Sequence, residues 1–291
     1  MTVIELIESG AAQLTEAGVS FGHGTTNAFD EAAWLVLWKL GLALDSPLDG
    51  TDSVSNRPVA PAEHAQVATL IKARIQTRKP AAYLTGEAWL QGVPFYVDER
   101  AIVPRSLIAE VLVNGAIDPW LSEDTHRVLD LCTGNGSLAI LAAMAFPDVQ
   151  VDAADISADA LTVARINVEK HSLQDRVTLL TSDGLARVNG PYDLILCNPP
   201  YVNAISMAAL PQEFKAEPAL ALAGGTDGMD FIRQLLSGVT AHMTDQAVLV
   251  LEIGNERPYF EAAFPSLEVV WLETSAGEDQ VLLVTREALI V

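Results

Sequence analysis

The chain has 291 residues, half of them apolar and 19% charged, which is enough core-forming material for one large or two smaller folded domains and excludes a disordered chain. Lys plus Arg is 17 and Asp plus Glu is 38, a net charge of −21 that repels phosphate backbones and attracts basic partners. Tight binding to nucleic acid through a broad basic face is therefore disfavoured, and the apolar runs are too short and too often broken to suggest a membrane span.

The opening MTVIELIESG lacks a basic start and a signal-type apolar core, so no export signal is expected. Two cysteines, Cys132 and Cys197, do not make a disulfide framework, and the expected compartment is the cytoplasm. The five histidines lack metal-ligand spacing, so no metal site is expected.

Residues 1–85 read as helical. Ile4, Leu6, Ile7 and Leu14 open a first helix, Glu31 to Leu44 is a strongly apolar second, and Pro61 to Arg78 is a third with Pro at its start and basic residues late. Asp45 to Pro58 has loop composition. Residues 86–114 form the expected hairpin and linker, with two short apolar runs flanking Gln91-Gly92. From residue 115 to 291 strands alternate with helices: Arg127 to Leu131, Val149 to Asp155, Val177 to Thr181, Tyr192 to Cys197 and Ala247 to Ile253. The intervening helices include Ser137 to Phe146 and Ser157 to Lys170. The pattern predicts an α/β fold with a mostly parallel sheet covered on both faces. Leu267 to Leu272 and Gln280 to Arg286 are too close together for a crossover, so an antiparallel edge hairpin is predicted.

Asp130-Leu131-Cys132-Thr133-Gly134-Asn135-Gly136 falls where the first of these strands meets a helix, and its glycines permit a sharp turn against a ligand. With Ala139 the spacing also satisfies the dinucleotide fingerprint, and Asp155 at the next strand end suits a ribose hydroxyl in either case. Asp130 separates the two. Its carboxylate at the mouth of the turn would repel a pyrophosphate but attract the ammonium and sulfonium of S-adenosylmethionine.

The fourth strand runs into Asn198-Pro199-Pro200-Tyr201. A carboxamide nitrogen is a poor nucleophile because its lone pair is delocalised, so methylating it requires acceptors that draw the N–H bonds out of the amide plane. The Asn198 side-chain oxygen and the Pro199 carbonyl are candidates. Pro199 and Pro200 fix the backbone and add no competing N–H, and Tyr201 can stack on the amide near a cationic methyl donor.

These motifs together resemble the class I, Rossmann-like methyltransferases, and within them the protein N(5)-glutamine methyltransferases. Tyr83 to Glu87 and Val103-Pro104-Arg105-Ser106 carry the likeness outside the catalytic region. The resemblance implies cofactor contacts at Asp130, Thr133, Gly134 and Gly136, at Asp155 on the ribose and at Asp183 near the adenine. Cys132, Ile156 and Asn198 complete the candidate cofactor set. Substrate contacts are implied at Asn198, Pro199 and Tyr201, and a helical N-terminal domain for substrate recognition. Cys132 stands where the wider family commonly has glycine, which suggests that the position does not need positive φ. Cys132 and Cys197 are read as small buried residues.

Ser106, followed by Ile108 and Glu110, resembles the branch that methylates the third large-subunit ribosomal protein, met before or during ribosome assembly; Leu107 departs from the expected Pro. The alternative substrate is a peptide chain release factor. Arg105, Glu110 and Glu252 are further candidates. Arg105 either orients cofactor or substrate or forms an interdomain ion pair, and Glu252 ends the fifth strand facing the same crevice. Adenine methylation of nucleic acid, a non-catalytic assembly factor and a nicotinamide oxidoreductase are the competing readings.

Overall fold

The first helix, α1 (Val3–Glu16), opens with a reciprocal cap: the Thr2 hydroxyl accepts the Glu5 N–H while the Glu5 carboxylate accepts the Thr2 N–H. Asn27 caps α2 (Ala28–Lys39), and Pro61 starts α3 (Pro61–Thr77). The second helix is shorter and earlier than the apolar run Glu31 to Leu44 predicts. Asn27 supplies its start, and the chain leaves the helix at Leu40 before Gly41 at φ 65°, so Leu42 and Leu44 are apolar loop residues packed on the helical core. A further short helix, α4 (Ala81–Thr85), follows Pro80.

The computed structural model describes residues 1–290; Val291, the end of the expected catalytic region, lies outside them. It divides into two compact units. One contains Met1–Ala88 together with Pro211–Ala216, and the other begins at Trp89, omits those six residues and resumes at Glu217. The helical unit is built on Val3, Ile7, Leu14, Leu35, Val36, Val67 and Ile71, all essentially inaccessible. It also buries a charge cluster. Arg74, fully buried, donates to Glu31 at 2.8 Å and to the Ser20 carbonyl at 2.9 Å. Glu213, from the inserted segment, accepts the Ser20 N–H and lies 3.2 Å from Arg78 and 3.6 Å from Arg74.

At the boundary where the second unit begins, β1 (Ala88–Leu90) and β2 (Val93–Phe95) form a two-stranded hairpin. Gln91 and Gly92 both have positive φ, 50° and 75°, as a two-residue type I′ turn requires. Helix α5 (Ile108–Val113) leads to β3 (Arg127–Leu131), α6 (Ser137–Ala145), β4 (Gln150–Asp155), α7 (Ala158–Lys170), β5 (Val177–Thr181) and β6 (Tyr192–Cys197). Next come α8 (Ala204–Ala209), α9 (Asp230–Gly238), β7 (Met243–Glu252), α10 (Arg257–Ala263), β8 (Val270–Thr274) and β9 (Gly277–Thr285).

Seven strands make one sheet in the order β5-β4-β3-β6-β7-β9-β8. The first five are parallel and β9 is antiparallel to both neighbours, so the expected edge hairpin is present. Alternate residues feed two cores. Val128, Leu194, Leu196, Val248 and Val250 pack with α5 and α6 on one face, and Leu129, Ile195, Cys197, Leu249 and Leu251 pack with α9 and α10 on the other. The order in which strands are added reverses between β3 and β6, whose last residues pair in parallel as Leu131 with Cys197. In open α/β sheets that reversal opens a crevice at the strands' carboxyl ends.

Replacing Glu31 by Ala is expected to lower unfolding free energy by about 3 kcal/mol, because a buried arginine loses its closest counter-charge. Urea denaturation followed by circular dichroism measures it. A loss below about 1 kcal/mol would mean that Glu213 and the Ser20 carbonyl satisfy Arg74 alone.

Candidate active site

A pocket occupies this crevice. Of the residues singled out in the sequence, Cys132, Gly134, Asp155, Ile156, Asp183, Asn198 and Pro200 line it. The turn after β3 supplies one wall, the end of β4 a second, and the segment after β6 a third. Cys132 has φ 63°, in the left-handed region, so the sequence expectation for this position is corrected: the turn needs positive φ here, and a cysteine adopts it. The Cys197 thiol beside it, together with burial, pushes its pKa well above the usual thiol value; both cysteines are free.

Asp130 is not at the mouth of the turn. It is fully buried beneath it, where one carboxylate oxygen accepts the Thr133 hydroxyl and, at 2.9 Å, the Ala139 N–H. The carboxylate thus ties the turn to the first residues of α6. Its other oxygen has no hydrogen-bond partner among the described residues, and burial pushes its pKa up to about 7. Thr133 and Gly136 are likewise framework residues rather than pocket lining. The Thr133 N–H donates to the Ala154 carbonyl, and Gly136, at φ 82°, lets α6 approach α7, where a Cβ would lie 3.1 Å from that of Ala164.

Asp155 accepts the Gly134 N–H at 2.9 Å and the Ser157 N–H at 2.8 Å. Burial raises its pKa, and two backbone donors leave further lone pairs for a hydroxyl. Ile156, 49% exposed, offers an apolar plate next to it.

The chain after β6 is held by close backbone packing. Val202 donates to Leu222 at 2.8 Å and accepts from Gly224 at 2.9 Å, closing the excursion between them. A Cβ on Gly224 would fall 2.7 Å from the Tyr201 Cα, and one on Gly228 would strike the Tyr201 carbonyl oxygen. Pro199 is buried and Asn198 half-buried. The Tyr201 hydroxyl donates to Glu252 at 3.1 Å; burial and that carboxylate push its pKa well above the usual phenol value.

Pro199, Tyr201 and the three remaining candidates do not line the pocket. Arg105 forms a bidentate pair with Glu217, both bonds 2.7 Å, within one unit rather than between domains. Glu110 holds Ser275, tying α5 to the β8–β9 turn. Glu252, rather than facing the crevice, is buried behind Tyr201 and also accepts the Ser106 hydroxyl at 2.6 Å. Sequence reading missed other lining residues: Arg100 to Ile102 from the linker, Pro218, Leu220 and Ala221 from the excursion, and Phe231 from α9. None belongs to a ligand-type motif. The only signal for the linker residues is their place just before Val103-Pro104-Arg105-Ser106.

The sheet order, the glycine turn and the Asn-Pro-Pro-Tyr strand end define a Rossmann-like methyltransferase. A family model described as "Methyltransferase small domain" matches residues 111–226. The catalytic domain of hMettl16, solved in complex with the MAT2A 3′UTR hairpin 6, has the same fold, with TM-score 0.53 and 13% identity over 82% of this chain and 85% of that one. A ribosomal protein uL3 glutamine methyltransferase from Bordetella pertussis is 53% identical, covering 99% of this chain and 96% of its own length. Its counterpart from Burkholderia pseudomallei is 48% identical over 97% and 94%. The chain belongs to the ribosomal protein uL3 glutamine methyltransferase family.

Its cofactor is S-adenosylmethionine, and the residues present fit that molecule. An acceptor-rich carboxylate ends β4, an apolar plate and Asp183 stand beside it, and the buried unpartnered oxygen of Asp130 favours a cation nearby.

The Asp130 carboxyl titrates near 7 in the folded protein and near 4 in the unfolded chain. As pH rises between those values the unfolded chain releases a proton that the folded one keeps, so ionisation costs stability. The cost levels off above about 7 and reaches about 4 kcal/mol at most. Relative to Asp130→Asn, the wild-type protein without cofactor should lose stability from about pH 4 to about pH 7 and no more beyond. Chemical denaturation at a series of pH values reads this. A constant difference would mean that Asp130 ionises as an ordinary surface carboxylate.

Proposed function

We propose that this enzyme transfers the methyl group of S-adenosylmethionine to the side-chain amide nitrogen of a glutamine in ribosomal protein uL3. One observation carries the reading. Asn198 and Pro200, just past the end of β6, line the same crevice as Cys132 and Gly134 of the turn after β3, which supports a donor and an amide meeting there. Relatives of 48–53% identity named for this activity support the substrate.

The cofactor supplies a methyl group on a positively charged sulfur. The chain's own part is to prepare the amide. The Asn198 side-chain oxygen accepts one N–H of the glutamine, and the Pro199 carbonyl accepts the other. Holding both protons off the amide plane returns electron density to nitrogen. Two prolines keep that carbonyl fixed before the substrate arrives, and the Tyr201 ring flanks the planar amide. The methylated nitrogen is acidic enough to lose its proton without a strong base in the site.

The helical unit is assigned to gripping the substrate protein. A net charge of −21 suits a highly basic ribosomal protein captured in the cytoplasm before rRNA covers it, and opposes nucleic acid as the substrate. Among the described residues no helix is long and apolar enough to cross a membrane.

Incubation with labelled S-adenosylmethionine and, separately, purified uL3, release factor and DNA identifies the acceptor. Mass spectrometry should then find one added methyl on a glutamine of uL3. Asn198→Ala should lower kcat by about a hundredfold at saturating donor and acceptor. An unchanged kcat refutes the amide-holding role, and labelling of DNA or release factor in preference to uL3 refutes the substrate.

A further inference from the structure

Two buried carboxylates face the segment Val103–Leu107 from different elements. Glu217, on the chain returning from the excursion, is 4% exposed and accepts the Val103 N–H at 2.9 Å and both Arg105 bonds at 2.7 Å. Glu252, at the end of β7, is 3% exposed. It accepts the Ser106 hydroxyl at 2.6 Å and the Leu107 N–H at 2.9 Å on one oxygen, and the Tyr201 hydroxyl at 3.1 Å on the other. Directly after Glu217 come Pro218, Leu220 and Ala221, which line the cofactor pocket, so the Arg105 pair fixes one wall of that pocket at its root.

The Tyr201 ring is located from a second side. A Cβ on Gly254 would sit 2.5 Å from Tyr201 Cε2, so the ring lies flush on a glycine backbone at φ 53° while Glu252 holds its hydroxyl end. Buried charges are costly unless hydrogen-bonded, and here both carboxylates accept donors from the same five-residue stretch, Glu252 taking the Tyr201 hydroxyl as well. The two carboxylates lead to different parts of the site: Glu217 to the pocket wall at Pro218–Ala221 and Glu252 to Tyr201.

We propose that Val103–Leu107 is a tie that positions the site through two separable carboxylates. Glu217 sets the pocket wall that contacts the cofactor, and Glu252 sets the Tyr201 ring against the substrate amide. Both are positioning residues, and neither exchanges a proton with substrate. The Glu252 half rests on the amide-methylation reading above; the Glu217 half does not.

The test uses the full-length enzyme. Titration calorimetry with S-adenosylhomocysteine should show Kd weakened about tenfold or more by Glu217→Gln and changed less than about twofold by Glu252→Gln. Kinetics at saturating donor should show the reverse: kcat falls about tenfold or more in Glu252→Gln and little in Glu217→Gln. Because Glu252 acts through the Tyr201 hydroxyl, Tyr201→Phe and the double variant with Glu252→Gln should have the same kcat. Multiplying losses would overturn that route, and equal effects of both glutamine variants on Kd and kcat would overturn the division. If Glu252→Gln fails to fold, Ser106→Ala with Tyr201→Phe gives the same cycle from the other side of the carboxylate. A wild-type enzyme that binds S-adenosylhomocysteine yet methylates no glutamine would instead defeat the substrate reading, while the calorimetry still decides the role of Glu217.

Discussion

The parallel pairing of β3 with β6, Leu131 opposite Cys197, is the constraint from which the site follows. Both strands end at the same level, and each is followed by a loop with little freedom: a turn through Cys132, Gly134 and Gly136 at positive φ, and a Pro-Pro step. Neither loop can retreat from the other because both strands are locked between two cores. Two motifs more than sixty residues apart in sequence become neighbours through the β3–β6 pairing and the two cores that hold it.

The buried and half-buried acids around this crevice share one logic. Asp130 stitches the turn to α6, Asp155 receives the N–H groups of Gly134 and Ser157, and Glu252 and Glu217 collect donors from the linker. Each accepts backbone N–H groups that the irregular chain would otherwise bury unpaired. Loops without regular structure are thereby made as definite as strands. The acidic composition read as a surface property also has this interior share.

The sheet was legible because its signal is local. Apolar runs of strand length, punctuated by helices and turn residues, name each strand, and the short link before β9 marks the antiparallel edge. The glycine turn and Asn198 to Tyr201 were legible as chemistry. What stayed hidden depends on distant partners. Nothing near Asp130 in sequence says that its carboxylate lies under the turn rather than at its mouth, since the Ala139 N–H reaches it only once α6 has formed. Glu217 looks like an ordinary loop acid until Arg105 and Val103, more than a hundred residues earlier, fold beside it. Cys132 misled for a different reason: a non-glycine residue argues against positive φ, yet the turn geometry overrides that preference.

The helical unit is not a continuous piece of chain. Its charge cluster is completed by Glu213, and Phe214 packs on His23, from a segment that the chain delivers after β6 and then withdraws. A fragment cut after Ala88 therefore leaves Arg74 and Arg78 short of the carboxylate they share. Domain dissection, module swapping and grafting of this unit onto another catalytic half all meet the same obstacle. The unit's true boundary is a topological one, and any transplant has to carry the looped-out segment with it.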